Sequence, residues 1–332
     1  MLTFGMTGGG GFDPLVVLLL ALVVEAYVGE AKTFFKAVPH PVRMIGNLVG
    51  FLDRKLNREN RSAADRAVRG ALVVIFVAGL ACVVGWAVAW LSLNHPWGWI
   101  IEFLGLVALL AARGLYDRVR AVAAALMNGV EPGRDAVRHI VGRDPAGLDG
   151  PGVARAALES LAENFCDGVV APVFWYVLFG FPGLLVYKAV NTMDSMIGHR
   201  TPRYRAFGMT AARLDDVLNL IPARLAGLFI VFAALFAPAA NPLGALRVML
   251  RDARFHRSVN AGWPEGAMAG ALGLALAGPR AYTEGTVNDP WIGDGHAEAT
   301  PRDISRGLYL YAAACLLNAM GVAAIVMARF SL

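Results

Sequence analysis

Apolar residues in this chain gather in long blocks, not in the narrow stripes of a soluble amphipathic helix. Ala71 to Leu93 is a nearly continuous apolar run, long enough to cross a bilayer as a helix. Trp86, Trp90 and Trp97 fall where an interfacial aromatic belt would sit. After the turn Asn94-His95-Pro96-Trp97, Ile100 to Leu115 predicts a returning segment, and Gly307 to Met327 predicts a final span. Val217 to Ala239 predicts another, with Arg224 near its start requiring a polar interior or an interfacial beginning. Leu15 to Val28 is apolar but short, contains Glu25, and follows a Gly-rich start without Lys or Arg. No clear cleavage site follows it, so it reads as an uncleaved first membrane segment. Val169 to Val186 is interrupted by Pro172, Gly180, Pro182 and Gly183. Such breaks free backbone groups that lipid cannot satisfy. A plain span there would also place Lys188, Arg200, Arg203, Arg205 and Arg213 outside, against the positive-inside rule. A re-entrant or protein-covered segment is therefore expected. Gly266 to Gly278 is too short to span, and its small residues suit close helix packing.

The polar blocks between these runs are basic. Glu30 to Asp65 carries Lys32, Lys36, Arg43, Arg54, Lys55, Arg58 and Arg61, with His40-Pro41 opening a helix. Asp117 to Leu158 is helical in character and Arg-rich. Asn241 to Glu265 is a basic, polar loop, and Pro279 to Arg306 is a loop rich in Gly, Asp and Pro. The expected fold is all-α: a polytopic membrane protein with about four or five spans, plus re-entrant or interfacial helices and cytoplasmic helical loops. Residues 1–332 form one integral membrane domain, with loops at about 30–66 and 117–158 and a catalytic core at about 143–282.

Composition agrees. Of 332 residues, 57% are hydrophobic and only 17% charged, against roughly half and a quarter in soluble domains. The net charge of +5 sits in loops flanking apolar blocks, which favours a membrane topology signal over nucleic-acid binding. Three cysteines, Cys82, Cys166 and Cys315, are too scattered for a zinc site or a disulfide framework. Cys166 reads as a small hydrophobe before it reads as a nucleophile.

Chemistry concentrates between Glu159 and Arg224. Glu159, Glu163 and Asp167 recur every four residues, drifting only about 40° per step on a helix, so their carboxylates can share a face beside Asn164 and Gly168. Asn191 and Asp194 lie one turn apart and form an oxygen pair suited to Mg²⁺, which takes one or two carboxylates and leaves room for phosphates. Asp215-Asp216, with Arg213 before them and Asn219 a turn later, add acids for Mg²⁺ and a guanidinium whose planar fork fits phosphate. Lys188, Arg203 and Arg224 add positive charge in the same stretch. Downstream, Arg251, His256, Asn260 and Glu265 are candidate substrate-binding groups. A solvated acidic face, a helix cap or an intrahelical ion pair would account for any one of these groupings alone. Neither a Walker A loop, a G-x-G-x-x-G turn nor an H-E-x-x-H motif is present, so a bound nucleotide would be held by some other fold.

Taken in order, these motifs resemble one family. Glu159-Ser160-Leu161-Ala162-Glu163-Asn164, Asp167-Gly168, Ala171-Pro172, Asn191-Thr192-Met193-Asp194-Ser195, Phe207-Gly208, Ala212-Arg213-Leu214-Asp215-Asp216 and Ile221-Pro222-Ala223-Arg224-Leu225 are similar to the adenosylcobinamide-phosphate synthases of cobalamin biosynthesis. So are His40-Pro41-Val42 with Ile45-Gly46, Gly142-Arg143-Asp144, and Arg251-Asp252-Ala253 with His256, Ser258 and Asn260-Ala261-Gly262-Trp263-Pro264-Glu265. The match covers about His40 to Tyr282. One departure is at the start: the family's Asp and Gly-Asp-Pro turn are replaced by Glu25 and Gly29-Glu30-Ala31, so no role is assigned there.

The resemblance implies an integral enzyme of the inner membrane, multi-pass, with its active site toward the cytoplasm. It would join the propionate carboxylate of adenosylcobyric acid to (R)-1-amino-2-propanol or its O-phosphate, driven by ATP and Mg²⁺. A carboxylate must be activated before an amine attacks it, most simply as an acyl phosphate. On that reading Asp194, Asp215 and Asp216 hold the metal and nucleotide, and Arg203, Arg213 and Arg224 bind phosphates. Glu163 or Asp167 is the general base on the incoming ammonium. Glu159, Asn164, Lys188, Asn191, Asn219, Arg251, His256, Asn260 and Glu265 bind substrate. The bilayer, other membrane proteins of the pathway and a second copy of the chain are the candidate partners. The competing readings are a Mg²⁺-dependent intramembrane transferase acting on a diphosphate, and a non-catalytic corrinoid transporter or scaffold. The first lacks the repeated D-x-x-x-D spacing, and the second lacks internal repeats.

Overall fold

A computed structural model describes residues 12–29, 40–142, 144–282 and 285–331. The Gly-rich start, Lys32, Lys36, the Glu30-Ala31 turn and Arg143 lie outside the described residues. Helices account for nearly all regular structure, as expected. They are α1 (Pro14–Val28), α2 (Pro41–Leu56), α3 (Ala63–Asn94), α4 (Gly98–Leu109), α5 (Ala112–Leu126), α6 (Val130–Val137), α7 (Gly150–Phe165), α8 (Ala171–Ile197), α9 (Met209–Leu218), α10 (Leu220–Ala233), α11 (Pro242–Asp252), α12 (Gly262–Leu272) and α13 (Pro301–Ser331). Four helical stretches are long and apolar enough to cross a membrane: Ala63–Asn94, Gly98–Leu126, Gly150–Ile197 and Pro301–Ser331. The bent pair Met209–Leu218 with Leu220–Ala233 makes a fifth if it counts as one span. The protein is a multi-pass helical membrane protein by these lengths and compositions.

Helix starts follow local chemistry. Asp13, His40, Ser62, Asp149 and Asn241 each accept a backbone amide of the first turn, relieving donors that the helix leaves unpaired. Pro14, Pro41 and Pro242 open their helices, where a missing N–H costs nothing.

Contacts divide the chain into two compact units. The first comprises the described parts of Met1–Ala111, with Ala171–Asn219 and Val322–Leu332. In it α3 packs on α8, closely enough that a Cβ on Gly85 would sit 2.6 Å from the Pro182 Cα. The buried Glu102 of α4 accepts a hydrogen bond of 2.7 Å from the Tyr176 hydroxyl, and Arg329 pairs with Asp13 at 3.1 Å. α8 is broken at Gly180, whose φ of 66° and ψ of −157° belong to no helix. The turn is sharp: a Cβ on Gly183 would lie 2.5 Å from the Trp175 carbonyl oxygen, eight residues back along what would otherwise be one rod. The breaks expected from Pro and Gly in Val169 to Val186 therefore collapse into one at Gly180. Pro172 does not interrupt the helix, which continues from Ala171 to the break at Gly180.

The second unit comprises Ala112–Val170 and Leu220–Gly321. α11 and α12 form its tightest pair, with a Cβ on Gly270 placed 2.3 Å from the Gly244 carbonyl. That approach is what the small-residue run predicts. Asn241 to Glu265, expected as a loop, is instead α11, a short 3₁₀ turn at Ala253–Phe255 and the first turn of α12. The expected loop from Pro279 to Arg306 holds an unpredicted hairpin. Strands β1 (Leu276–Tyr282) and β2 (Gly285–Ile292) run antiparallel, from Leu276 opposite Ile292 to Tyr282 opposite Gly285. Pro279 and Pro290 masked it in sequence, yet a two-stranded ribbon consists only of edges, where proline is admissible.

Candidate active site

The first unit brings Asn191, Asp194, Asp215 and Asn219 together. Asn191 and Asp194 lie a turn apart on α8; Asp215 and Asn219 lie a turn apart at the end of α9. Asp215 is only 8% exposed. Its Oδ1 accepts from Asn191 Nδ2 at 3.3 Å and its Oδ2 from Asn219 Nδ2 at 3.0 Å. Asn219 Oδ1 in turn accepts from the buried Tyr187 hydroxyl at 3.0 Å. Asp194 is near enough for its charge to act on Asp215. Two neutral amides thus orient a buried acid, with a second acid beside it, and no cation pairs with Asp215 among the described residues. A buried carboxylate without a counter-charge is costly.

Asp216 is half-buried, and the guanidinium acting on it is Arg200 rather than the expected Arg213. Arg213 itself is exposed on α9. Lys188 is buried on α8, where its carbonyl accepts from Thr192. Arg203 is drawn elsewhere in the same unit: its Nη2 lies 2.8 Å from Asp53 Oδ2, and Glu59 stands 3.6 Å away. The Asp53 hydrogen bond raises the Arg203 pKa further, so its charge is permanent. Asn57 and Arg66 both donate to the Arg203 carbonyl, and Arg66 Nε also reaches Asn57 Oδ1 at 2.9 Å. Arg203 is thereby committed to tying the 199–207 segment to α2 and α3. Asp53, Asn57, Arg66 and Arg200 were missed in sequence. The Asp53/Asn57 spacing on an amphipathic helix was the available signal, indistinguishable there from a solvated face.

The second unit holds another cluster. After Phe165 the chain makes a π-helical turn, Cys166–Val170, a feature that recurs at functional positions. Glu163, Cys166 and Asp167 line a cavity of about 30 Å³ with Ser258, Asn260, Ala261 and Pro264. Arg224 Nη1 donates to Asn260 Oδ1 at 2.9 Å and to the Leu220 carbonyl at 2.8 Å, and the guanidinium stands 4.4 Å from the Trp263 ring centre. His256 Nδ1 lies 3.0 Å from the Ser258 amide nitrogen and 3.3 Å from the Ser258 carbonyl oxygen, and Nε2 lies 3.6 Å from the buried Glu265. Ser258 Oγ accepts the amides of Asn260 and Ala261. Glu265 sits in the first turn of α12, the positive end of the helix dipole.

The single acidic face expected for Glu159, Glu163 and Asp167 is divided in use. Glu163 and Asp167 reach the cavity, whereas Glu159 is buried and accepts the Ala277 amide of β1 at 2.9 Å. Asn164 folds back onto Ser160, donating to its carbonyl at 2.9 Å. Arg251 does not line the cavity either. It grips Asp252 at 2.6 Å and Asp294 at 2.8 Å, while Asp252 accepts the Gly293 amide at 2.8 Å. Its guanidinium holds both carboxyls below the usual carboxylate range. Glu159, Arg251 and Asp252 therefore anchor the hairpin. Cys166 is buried, as a small hydrophobe would be, but also contributes to the cavity wall.

The described residues contain no cluster of three or more His, Cys, Asp or Glu able to cage a metal ion. Asp194 and Asp215 fit Mg²⁺ only in the manner of an ion that keeps waters and phosphate oxygens as its other ligands.

Long spans, the buried Asp215 and a cavity lined by Glu163, Asp167, Ser258 and Asn260 define a multi-pass membrane protein with ionisable groups gathered in each of its two units. The CobD/Cbib protein family model matches residues 18–311. Among similar chains is the "Cobalamin biosynthesis protein CobD" of Sinorhizobium sp, 48% identical over 317 residues, covering 94% of this chain and 98% of that one. Those of Rhodobacter capsulatus (49% over 297 residues; 89% and 92%) and Brucella anthropi (48% over 302 residues; 90% and 92%) carry the same name. This chain belongs to the CobD/Cbib family. No solved structure matches it.

Proposed function

We propose that the protein acts in cobalamin biosynthesis as a ligase, forming an amide between the propionate carboxylate of adenosylcobyric acid and (R)-1-amino-2-propanol or its O-phosphate. Support comes from family membership, from the named role of its relatives, and from one geometric observation. Asp215 is buried beside Asp194, held by two neutral amides, with no cation of its own among the described residues. That arrangement suits Mg²⁺ arriving with ATP, whose chemistry would activate the carboxylate.

Each residue then has a physical task. Asn191 and Asn219 aim the Asp215 carboxylate, and Tyr187 fixes the Asn219 amide orientation. Asp194 and Asp216 supplement its negative charge. Arg224, steadied by Asn260 and Trp263, presents a fixed guanidinium to an anionic substrate group. Glu163 or Asp167 takes the proton that an ammonium must lose before its nitrogen attacks. His256, Ser258 and Glu265 maintain the loop that carries Asn260. Arg203 holds the 199–207 segment in place, while Arg213 and Lys188 supply positive charge. The basic loops put this chemistry on the cytoplasmic side of the inner membrane.

The test uses purified protein in detergent with adenosylcobyric acid, Mg²⁺-ATP and either amine, followed by mass spectrometry of the corrinoid and a nucleotide assay. A corrinoid gaining the amine minus water, with ATP consumed in step, is expected. A folded protein that yields no product with either amine would overturn the ligase reading in favour of a scaffold.

A further inference from the structure

The first unit contains a second, much larger cavity that the proposed reaction does not use. It measures about 570 Å³ and is lined by Cys82, Val83 and Trp86 of α3, by Trp175, Phe179, Pro182, Gly183, Val186 and Tyr187 of α8, and by Leu218. The break at Gly180 creates it. A straight α8 would carry Phe179 and Gly183 along one rod, whereas the turn folds Trp175 back against Gly183 and leaves a hollow beside α3. Trp175 and Phe179 stack at 5.8 Å to form one wall, and Trp175 Nε1 is satisfied by the Leu218 carbonyl at 3.2 Å. The Tyr187 hydroxyl is engaged by Asn219. No charged side chain takes part, so the cavity presents almost nothing but apolar surface.

Its mouth shows what can enter. Val83 is 64% exposed and Trp86 62%, and both continue the outward apolar face of α3 formed by Leu72, Ile75, Phe76 and Leu80. α3 qualifies as a span, so that face meets hydrocarbon. A partner helix would need small residues to approach closely. Here the rim is Trp86, Val83 and Phe179, which hold a helix off but leave a slot for a narrow, flexible chain. The volume lies within the range of small-ligand sites, roughly 300–1,000 Å³.

We infer that this cavity is a lipid site, occupied by an acyl chain of a bilayer phospholipid entering past Val83 and Trp86. The chain packs on the Trp175–Phe179 stack and ends against the Tyr187 ring.

The test reconstitutes the full-length protein in vesicles containing a phospholipid with a diazirine in its acyl chain, followed by irradiation and peptide mass spectrometry. Adducts are expected within Cys82–Trp86 and Trp175–Tyr187, falling at least about fivefold in Val83→Trp or Val186→Trp, either of which fills the slot. Labelling of the exposed α13 residues Leu316 and Met320 should not change. Two variants are used because one could perturb folding; monodispersity in detergent checks both. Cavity adducts no more abundant than those at Leu72 and Ile75, or undiminished in monodisperse filled variants, would overturn the proposal. In a parallel sample with the photocross-linker p-benzoylphenylalanine in place of Trp86, recovery of a protein cross-link instead of a lipid adduct would do the same.

Discussion

Asp215 carries the proposed chemistry in one side chain, and its surroundings show why sequence spacing underdetermined it. Asp215-Asp216 reads as an adjacent pair, yet successive helical residues point about 100° apart, so the two acids serve different neighbours. Asp215 meets Asn191 and Asn219, whereas Asp216 falls under Arg200. Asp215→Asn should lower kcat by about 100-fold or more, the scale lost when a preorganised charged group is removed from a site. Detergent-solubilised size and melting temperature should be retained; turnover close to wild type in the mass-spectrometric assay would remove Asp215 from the reaction. Arg224 offers a second case. A lysine keeps the charge but loses the planar fork to Asn260 and the Leu220 carbonyl, and the stacking on Trp263. Arg224→Lys should reduce kcat/KM by about 10- to 100-fold, equivalent to about 1.5–3 kcal/mol for a charged hydrogen bond. Full activity in the lysine variant would show that charge alone suffices.

Single helices explain why this chain tolerates so much glycine in apolar segments. In α3, a Cβ on Gly70 would fall 1.8 Å from the Phe207 carbonyl oxygen, so the backbone of the 199–207 segment rests directly on that helix. Gly79, two and a half turns further on, has nothing within 4 Å. Gly70→Ala should therefore destabilise by about 1–3 kcal/mol, the usual cost of overpacking. Gly79→Ala should be neutral or stabilising by up to about 1 kcal/mol, from helix propensity. Thermal melts of the two variants in one detergent separate packing from propensity; equal shifts would contradict the contact. The same logic applies to Gly180, whose positive φ makes the break in α8 a backbone requirement. Hydropathy located that interruption but not its form, because Pro172, Pro182 and Gly183 signal a break equally well.

Across the molecule, stability at low pH should depend on the clasp that holds the hairpin. Arg251 keeps Asp252 and Asp294 below the ordinary carboxylate range, near ~3.9, so both stabilise the fold when ionised. Their contribution is complete above the unfolded pKa and is lost as pH falls through the lower folded value. Wild-type melting temperature should therefore stay level from neutrality to about pH 4 and drop below it. Asp252→Asn should melt lower at neutral pH and show a shallower acid limb. An acid limb as steep as that of wild type would assign the acid sensitivity to other groups. Asp252 is the better probe of the two, because Asp294 is 70% exposed and largely screened.

Hydropathy and charge patterning were enough to set the membrane class, the all-α content and the spans beginning near Ala71, Ile100 and Gly307. The stretch from Val169 to Val186, expected to be re-entrant or covered, instead lies in a helical stretch long enough to cross. Burial of apolar surface and the cost of ions in lipid are local and additive, and both can be read along a chain. Tertiary structure decided which of several polar residues meet. Arg203 went to Asp53, Glu159 to the Ala277 amide and Arg251 to the hairpin, while Glu163, Asp167, Arg224 and Asn260 gathered in the second unit. These pairings join residues 36 to 150 positions apart. No helical period encodes such separations, because they are set by where whole helices pack.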